Sequence, residues 1–182
     1  MILNNLKIDD FIANKIVNNT NIFKNIEPNW ITLSGMALNF IFLYNILYND
    51  DNKINIGIIL FLRWLVDCLD GAVARKYKKT SSIGNQFDTL SDIMFYIIIL
   101  YWLWIKIDNK KICLILTVIW IIFIYNIIFV EKLFDTHTNI KKGWTPYKSI
   151  VAFLTNNSYI PFIIIYYCYY KIDNINKYFT KI

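Results

Sequence analysis

Three cysteines and a single histidine are all that 182 residues hold of two common zinc-binding side chains. Cys68, Cys113 and Cys168 stand far apart and inside apolar stretches, so they read as small core residues rather than a disulfide framework or a metal site. His137 has no Cys or Ser near it in sequence and reads as a solvated loop residue, not a ligand or base. No internal repeat is visible. The opening stretch lacks the basic and apolar regions of a cleaved leader, so none is expected. Acidic residues are outnumbered, 13 against 19 basic, for a net charge of +6. That balance alone would allow a nucleic-acid partner. The Lys and Arg, however, sit in short groups between apolar blocks, a pattern that sets membrane topology and meets anionic lipid. No nucleic-acid partner is expected.

What the chain has in abundance is apolar length. It is 57% hydrophobic and 18% aromatic, with mean hydropathy +0.40. The apolar residues run in blocks rather than in alternation, which predicts helices crossing a bilayer. Six such segments fall at about 30–48, 54–77, 84–107, 111–130, 145–154 and 159–172. The last two are short, and one long kinked helix is an alternative to two spans. Pro161 is placed to begin the sixth. Ahead of them, residues 1–27 are polar, with Leu3, Leu6, Phe11, Ile12 and Ile16 able to line one side of a helix lying on the membrane surface. The expected fold is therefore all-α: a polytopic bundle of six transmembrane helices preceded by an amphipathic surface helix. The domain division is 1–27 for the interfacial segment and 28–182 for the membrane domain. With the N-terminus inside, most Lys and Arg fall in inside loops, against Lys53, Lys106, Lys110 and Lys111 outside. The heavy use of Asn, Ile, Lys and Tyr reads as coding bias, so Asn-rich loops carry little weight. Tyr166, Tyr167, Tyr169 and Tyr170 read as an interfacial belt. The sequons at Asn18 and Asn156 are weak patterns.

The chemistry is concentrated where the second span ends and the third begins. Asp67, Asp70, Gly71, Ala74 and Arg75 share one helical face; Gly84, Asp88 and Asp92 share another. If the two helices pair antiparallel through the loop at 76–83, four carboxylates converge near the cytoplasmic end of the bundle. Four such charges in a low dielectric repel one another strongly. Hard divalent cations resolve this, since oxygen-only ligands suit Mg²⁺ or Mn²⁺, and two shared ions suit phosphoryl chemistry. Glycines at 71 and 84 clear the backbone for a bulky ligand. Arg75 offers a two-pronged fork for phosphate. A plainer reading is that one Asp pairs with Arg63 or Arg75 to hold a bundle together. It does not account for four acids on two stripes with spaced glycines. Arg63, one turn before Asp67, reads as electrostatic support for that acid. Lys141, Lys142 and Lys148 read as topology and snorkelling residues, with an acceptor phosphate as the alternative.

Taken together, Asp67, Asp70, Gly71, Ala74, Arg75, Gly84, Asp88 and Asp92 match at every fixed position the signature of the CDP-alcohol phosphatidyltransferase family, which this chain resembles. Residues 27–35 also look like that family's approach to its first span. The resemblance implies a six-helix bundle, often dimeric, with a cavity open to the cytoplasm and to lipid. It implies that Asp67, Asp70 and Asp88 are metal ligands for two Mg²⁺ or Mn²⁺ ions, and that Asp92 is a ligand and the general base. It implies that Gly71, Arg75 and Ser81 hold the CDP donor, with Ala74 lining it and Asn29 and Thr32 contributing from the first span. Lys76, Lys78 and Lys79 are candidates for anionic headgroups, with inside-positive topology as the equal alternative.

The activity this implies is transfer of a phosphatidyl group from CDP-diacylglycerol to a small alcohol. One alternative is transfer from CDP-choline or CDP-ethanolamine to diacylglycerol, for which the chain is short. A cation transporter built on the acidic cluster would leave Gly71, Arg75 and Gly84 unexplained. A purely structural membrane subunit would tolerate loss of an acid, and none is lost. Ile93 follows Asp92 where many relatives carry a basic residue, which leaves the acceptor open.

Overall fold

The computed structural model describes residues 8–49, 52–136 and 159–179. They form seven α-helices: α1 (Ile8–Asn19), α2 (Pro28–Tyr48), α3 (Lys53–Lys76), α4 (Ser82–Lys106), α5 (Lys110–Thr136), α6 (Tyr159–Tyr170) and α7 (Ile172–Phe179), with one 3₁₀ turn at Ile22–Asn25. The first four expected spans correspond to α2 through α5 within a few residues at most boundaries. The fifth expected span, His137, Lys141, Lys142, Lys148 and the Asn156 sequon lie outside the described residues. In place of a sixth span reaching 172, α6 stops at Tyr170, and α7 follows after Lys171.

The helix ends follow local chemistry. Pro28 takes the first position of α2, where its missing N–H costs nothing. Asn52 caps α3 by accepting from the Asn55 N–H at 3.1 Å, and Ser81 caps α4 by accepting from the Gly84 N–H at 2.9 Å. Asn109 accepts from the Lys111 N–H at the start of α5. Two asparagines that composition alone would discount are therefore helix caps. The end of α3 is a Schellman motif: the Lys79 N–H donates to the Ala74 carbonyl at 2.9 Å and the Lys78 N–H to Arg75. Lys78 sits at φ 54°, a position that usually selects glycine.

Helix α2 packs on both α3 and α4, with α1 and α6 packed on α3 and α5 on α4. At the end where α2 gives way to α3 and α4 to α5 the interior is apolar: Phe42, Ile46, Ile56, Leu60, Phe95, Ile99 and Trp102 are buried together. Phe162 stacks on Phe95 at 5.0 Å and Tyr169 on Trp102 at 5.5 Å. Gly57 admits Tyr166, whose ring would come within 2.9 Å of any Cβ placed there. Outward, Trp30, Phe40 and Tyr44 of α2 and Leu114, Ile115, Val118 and Ile119 of α5 are exposed. Water does not readily support so dense an apolar exterior. Helices α2 (21 residues) and α4 (25 residues) are long and apolar enough to cross a bilayer. α3 is of similar length but carries Arg63, Asp67 and Asp70 in its interior.

Helix α1 is amphipathic, and a face outside the expected membrane-facing stripe docks on the bundle. Ala13 and Val17 are fully buried, packed with Leu69, Ala72 and Val73 of α3, while Phe11 is exposed. Ile12 and Ile16 are partly buried; Leu3 and Leu6 lie outside the described residues. The helix docks on the bundle through small side chains, which a search for large apolar residues passes over.

Candidate active site

Helix α3 contributes Asp67 and α4 contributes Asp88 and Asp92, each offering an oxygen within 4.8 Å of the others. All three are partly exposed. Helices α3 and α4 both pack on α2 rather than closely on each other, and long side chains such as Arg63, which reaches from α3 to Asp92 of α4, bring the two stripes together. The fourth acid behaves differently. Asp70 is only 6% exposed and accepts a 2.8 Å hydrogen bond from the Thr32 hydroxyl of α2. It lies outside the three-acid group.

Beside the acids is a small cavity of about 60 Å³ between the start of α2, the end of α3 and the start of α4. Asn29, Thr32, Gly71, Ala74 and Ser81 all line it, as do Asp70, Gly84 and Asp88. Gly84 leaves room there. A Cβ would sit 3.0 Å from the Ser81 Oγ and 3.1 Å from the Asn29 Oδ1, pressing on the helix cap and the cavity wall together. A larger cavity, about 600 Å³, lies between α3 and α6. Its walls are aliphatic and aromatic, among them Phe61, Trp64 and Phe162, and none of the acids reaches it.

Arg75 is the one expected donor-binding residue outside the small cavity. Its guanidinium reaches 2.7 Å to Asp10 of α1 and passes 3.1 Å from where a Gly71 Cβ would be. Both partners of this ion pair are solvent-accessible, so the pair is weak and readily exchanged. Two of the three loop lysines have structural partners. Lys76 donates to the Val17 carbonyl at 2.7 Å, closing the end of α1. Lys79 donates to Glu27 at 2.8 Å and to the Lys24 and Ile26 carbonyls, tying the α3–α4 turn to the start of α2. Lys78 is exposed.

Behind the acids lies a polar layer that the spacing of charged residues does not disclose. Arg63, 2% exposed, donates to Asp67 at 2.8 Å and to Asp92 at 2.6 Å, so it supports two acids where one was expected. Asn39 of α2 and Ser91 of α4, both buried, complete the layer. The available signal was Asn39 itself, an amide in the middle of an apolar run, which must find partners when buried.

The arrangement suits a hard cation. Around one octahedral Mg²⁺, with metal–oxygen distances of about 2.1 Å, neighbouring oxygens lie about 3 Å apart and opposite ones about 4.2 Å, so three acids whose oxygens lie within 4.8 Å of one another would draw together by about 1–2 Å to share an ion. A family model described as CDP-alcohol phosphatidyltransferase matches residues 25–173. No curated protein and no solved structure matches the chain.

Proposed function

The chain belongs to the CDP-alcohol phosphatidyltransferase family, and from that premise we propose that it transfers the phosphatidyl group of CDP-diacylglycerol to a small alcohol, releasing CMP, in phospholipid synthesis. The family is one of metal-dependent integral-membrane enzymes, and the apolar helices α2 and α4 agree with that setting. The observation that carries the proposal is the three-acid cluster of Asp67, Asp88 and Asp92 standing beside a cavity walled by Asn29, Thr32, Gly71, Ala74 and Ser81.

Asp67, Asp88 and Asp92 would hold the divalent ions, Mg²⁺ or Mn²⁺, with Asp70 completing the set from the cavity side. Two bound ions supply neutralisation of the charge that builds on the diphosphate as CMP departs. The residues of the chain supply the rest. The start of α2 and the end of α3 hold the nucleotide, and Arg75 exchanges Asp10 for a phosphate oxygen. Asp92 takes the proton of the acceptor hydroxyl, whose oxygen attacks the phosphorus bearing the diacylglycerol. A new phosphorus–oxygen bond forms on that side as the bond to the CMP oxygen breaks in line. We place this site at the cytoplasmic end of a six-span bundle that works as a homodimer. The test is incubation of purified protein with CDP-diacylglycerol, Mg²⁺ or Mn²⁺, and a panel of alcohols, following CMP. Acceptor-dependent CMP release is expected. Release that needs no alcohol, or cation flux with no nucleotide requirement, would sink the reading.

A further inference from the structure

Arg63 is the feature the reaction leaves without a role. Four of its five N–H groups have partners: Nε donates to Asn39 Oδ1 at 3.0 Å, Nη1 to Asp67 Oδ1 at 2.8 Å, and Nη2 to Ser91 Oγ at 3.2 Å and Asp92 Oδ1 at 2.6 Å. The guanidinium also lies 5.7 Å from the centre of the Phe95 ring. Asn39 is itself anchored, donating from Nδ2 to the Ser91 carbonyl at 2.9 Å.

A buried guanidinium next to a cation site looks like a competitor, because its charge repels an incoming metal. Two observations argue for another role. Asn39, Ser91 and Phe95 hold the group independently of the acids, so arrival of a cation does not release it. Each acid, moreover, gives it a single oxygen, and a carboxylate has two; the second of each can face a cation or a substrate. Resting on the reading of the acid cluster as the cation site, we infer that Arg63 is a positioning residue. Its planar fork fixes Asp67 of α3 and Asp92 of α4 at one separation, so that ions and acceptor meet a preset pair of carboxylates. Lysine carries the same charge without the fork and cannot span both acids in this way. Outer partners of metal ligands commonly alter affinity or activity by about 10–100-fold.

The experiment is a Mn²⁺ titration of the full-length protein in detergent, without nucleotide, reading free Mn²⁺ by electron paramagnetic resonance. It is paired with melting temperature and with kcat and KM for CDP-diacylglycerol. Wild type is expected to bind Mn²⁺ saturably. Arg63→Lys should weaken that affinity about tenfold or more and lower kcat while KM for the donor stays near wild type. Because the charge is kept, the change reports geometry and not electrostatic repulsion. Ser91→Ala removes one anchor of the guanidinium without touching an acid and should shift Mn²⁺ affinity the same way by a smaller factor; it carries the test if Arg63→Lys fails to fold. Wild-type Mn²⁺ affinity per folded molecule together with wild-type kcat in these variants would overturn the inference and leave Arg63 a packing contact. Wild-type protein that binds no Mn²⁺ at all would bring down the cation site itself, and the inference with it.

Discussion

The same three helices are held together in two different ways at their two ends. Where α2 gives way to α3 and α4 to α5, Phe42, Ile56, Leu60, Phe95 and Trp102 fill the interior with carbon. Toward the α3–α4 turn, Thr32, Asn39, Arg63, Asp70 and Ser91 take their places, each in a specified hydrogen bond. In a bilayer, carbon meeting carbon gains mainly dispersion and filled space. It is undirected, so residues of similar volume substitute for one another. The polar end has no such tolerance: removing one partner leaves another buried and unpaired, at a cost of about 1–3 kcal/mol or more. One end gives the bundle its cohesion, and the other gives Asp67, Asp70 and Asp92 their positions.

Substitutions at the two ends should therefore separate activity from stability. The largest effect on turnover is expected from Asp92→Asn, with kcat lower by about 10²–10⁴-fold, the usual contribution of general base catalysis. Its melting temperature and donor binding should stay close to wild type. Near-wild-type CMP release from this variant would remove Asp92 as base. At the apolar end, Trp102→Ala opens a void against Tyr169 and Ile99 and should cost about 3–5 kcal/mol of stability, visible in a denaturant titration, while kcat per folded molecule is unchanged. A loss of kcat at constant stability would mean the ends are not independent. Thr32→Val takes the hydrogen bond from Asp70 and should lower stability by about 1 kcal/mol or somewhat more, read in the same denaturant titration, with a rise in donor KM beside it as Asp70 loses its anchor. The smallest effect sharpens the comparison at the turn. Lys78→Gly relieves a left-handed backbone and should stabilise by about 0.5–1 kcal/mol with activity intact; a fall in activity would show that Lys78 meets a headgroup.

Much of the apolar end was legible in the sequence, because long apolar runs and capping residues mark helices without help from tertiary contacts. The polar end was legible only along each helix. Spacing put Asp67 and Asp70 on one face, yet three residues advance the helix by about 300°, leaving the two about 60° apart. That angle suffices to turn Asp67 toward α4 and Asp70 toward α2. Nothing along the chain says which neighbour lies on which side of the stripe. The same limit hid the reach of Arg63 to Asp92 and the pairing of Arg75 with Asp10, a contact across 65 residues of sequence. Ala13 and Val17 dock on α3 because close approach rewards small side chains, which carry little apolar signal in a sequence.

The central claim is that carboxylates from two neighbouring helices work only when they share divalent cations. It is tested most directly by stripping purified protein with a chelator and following CMP release from CDP-diacylglycerol as Mn²⁺ is restored. The account predicts no release until the ion returns, a saturable recovery, and no recovery in Asp88→Ala. Release that persists at the wild-type rate after chelation would contradict it.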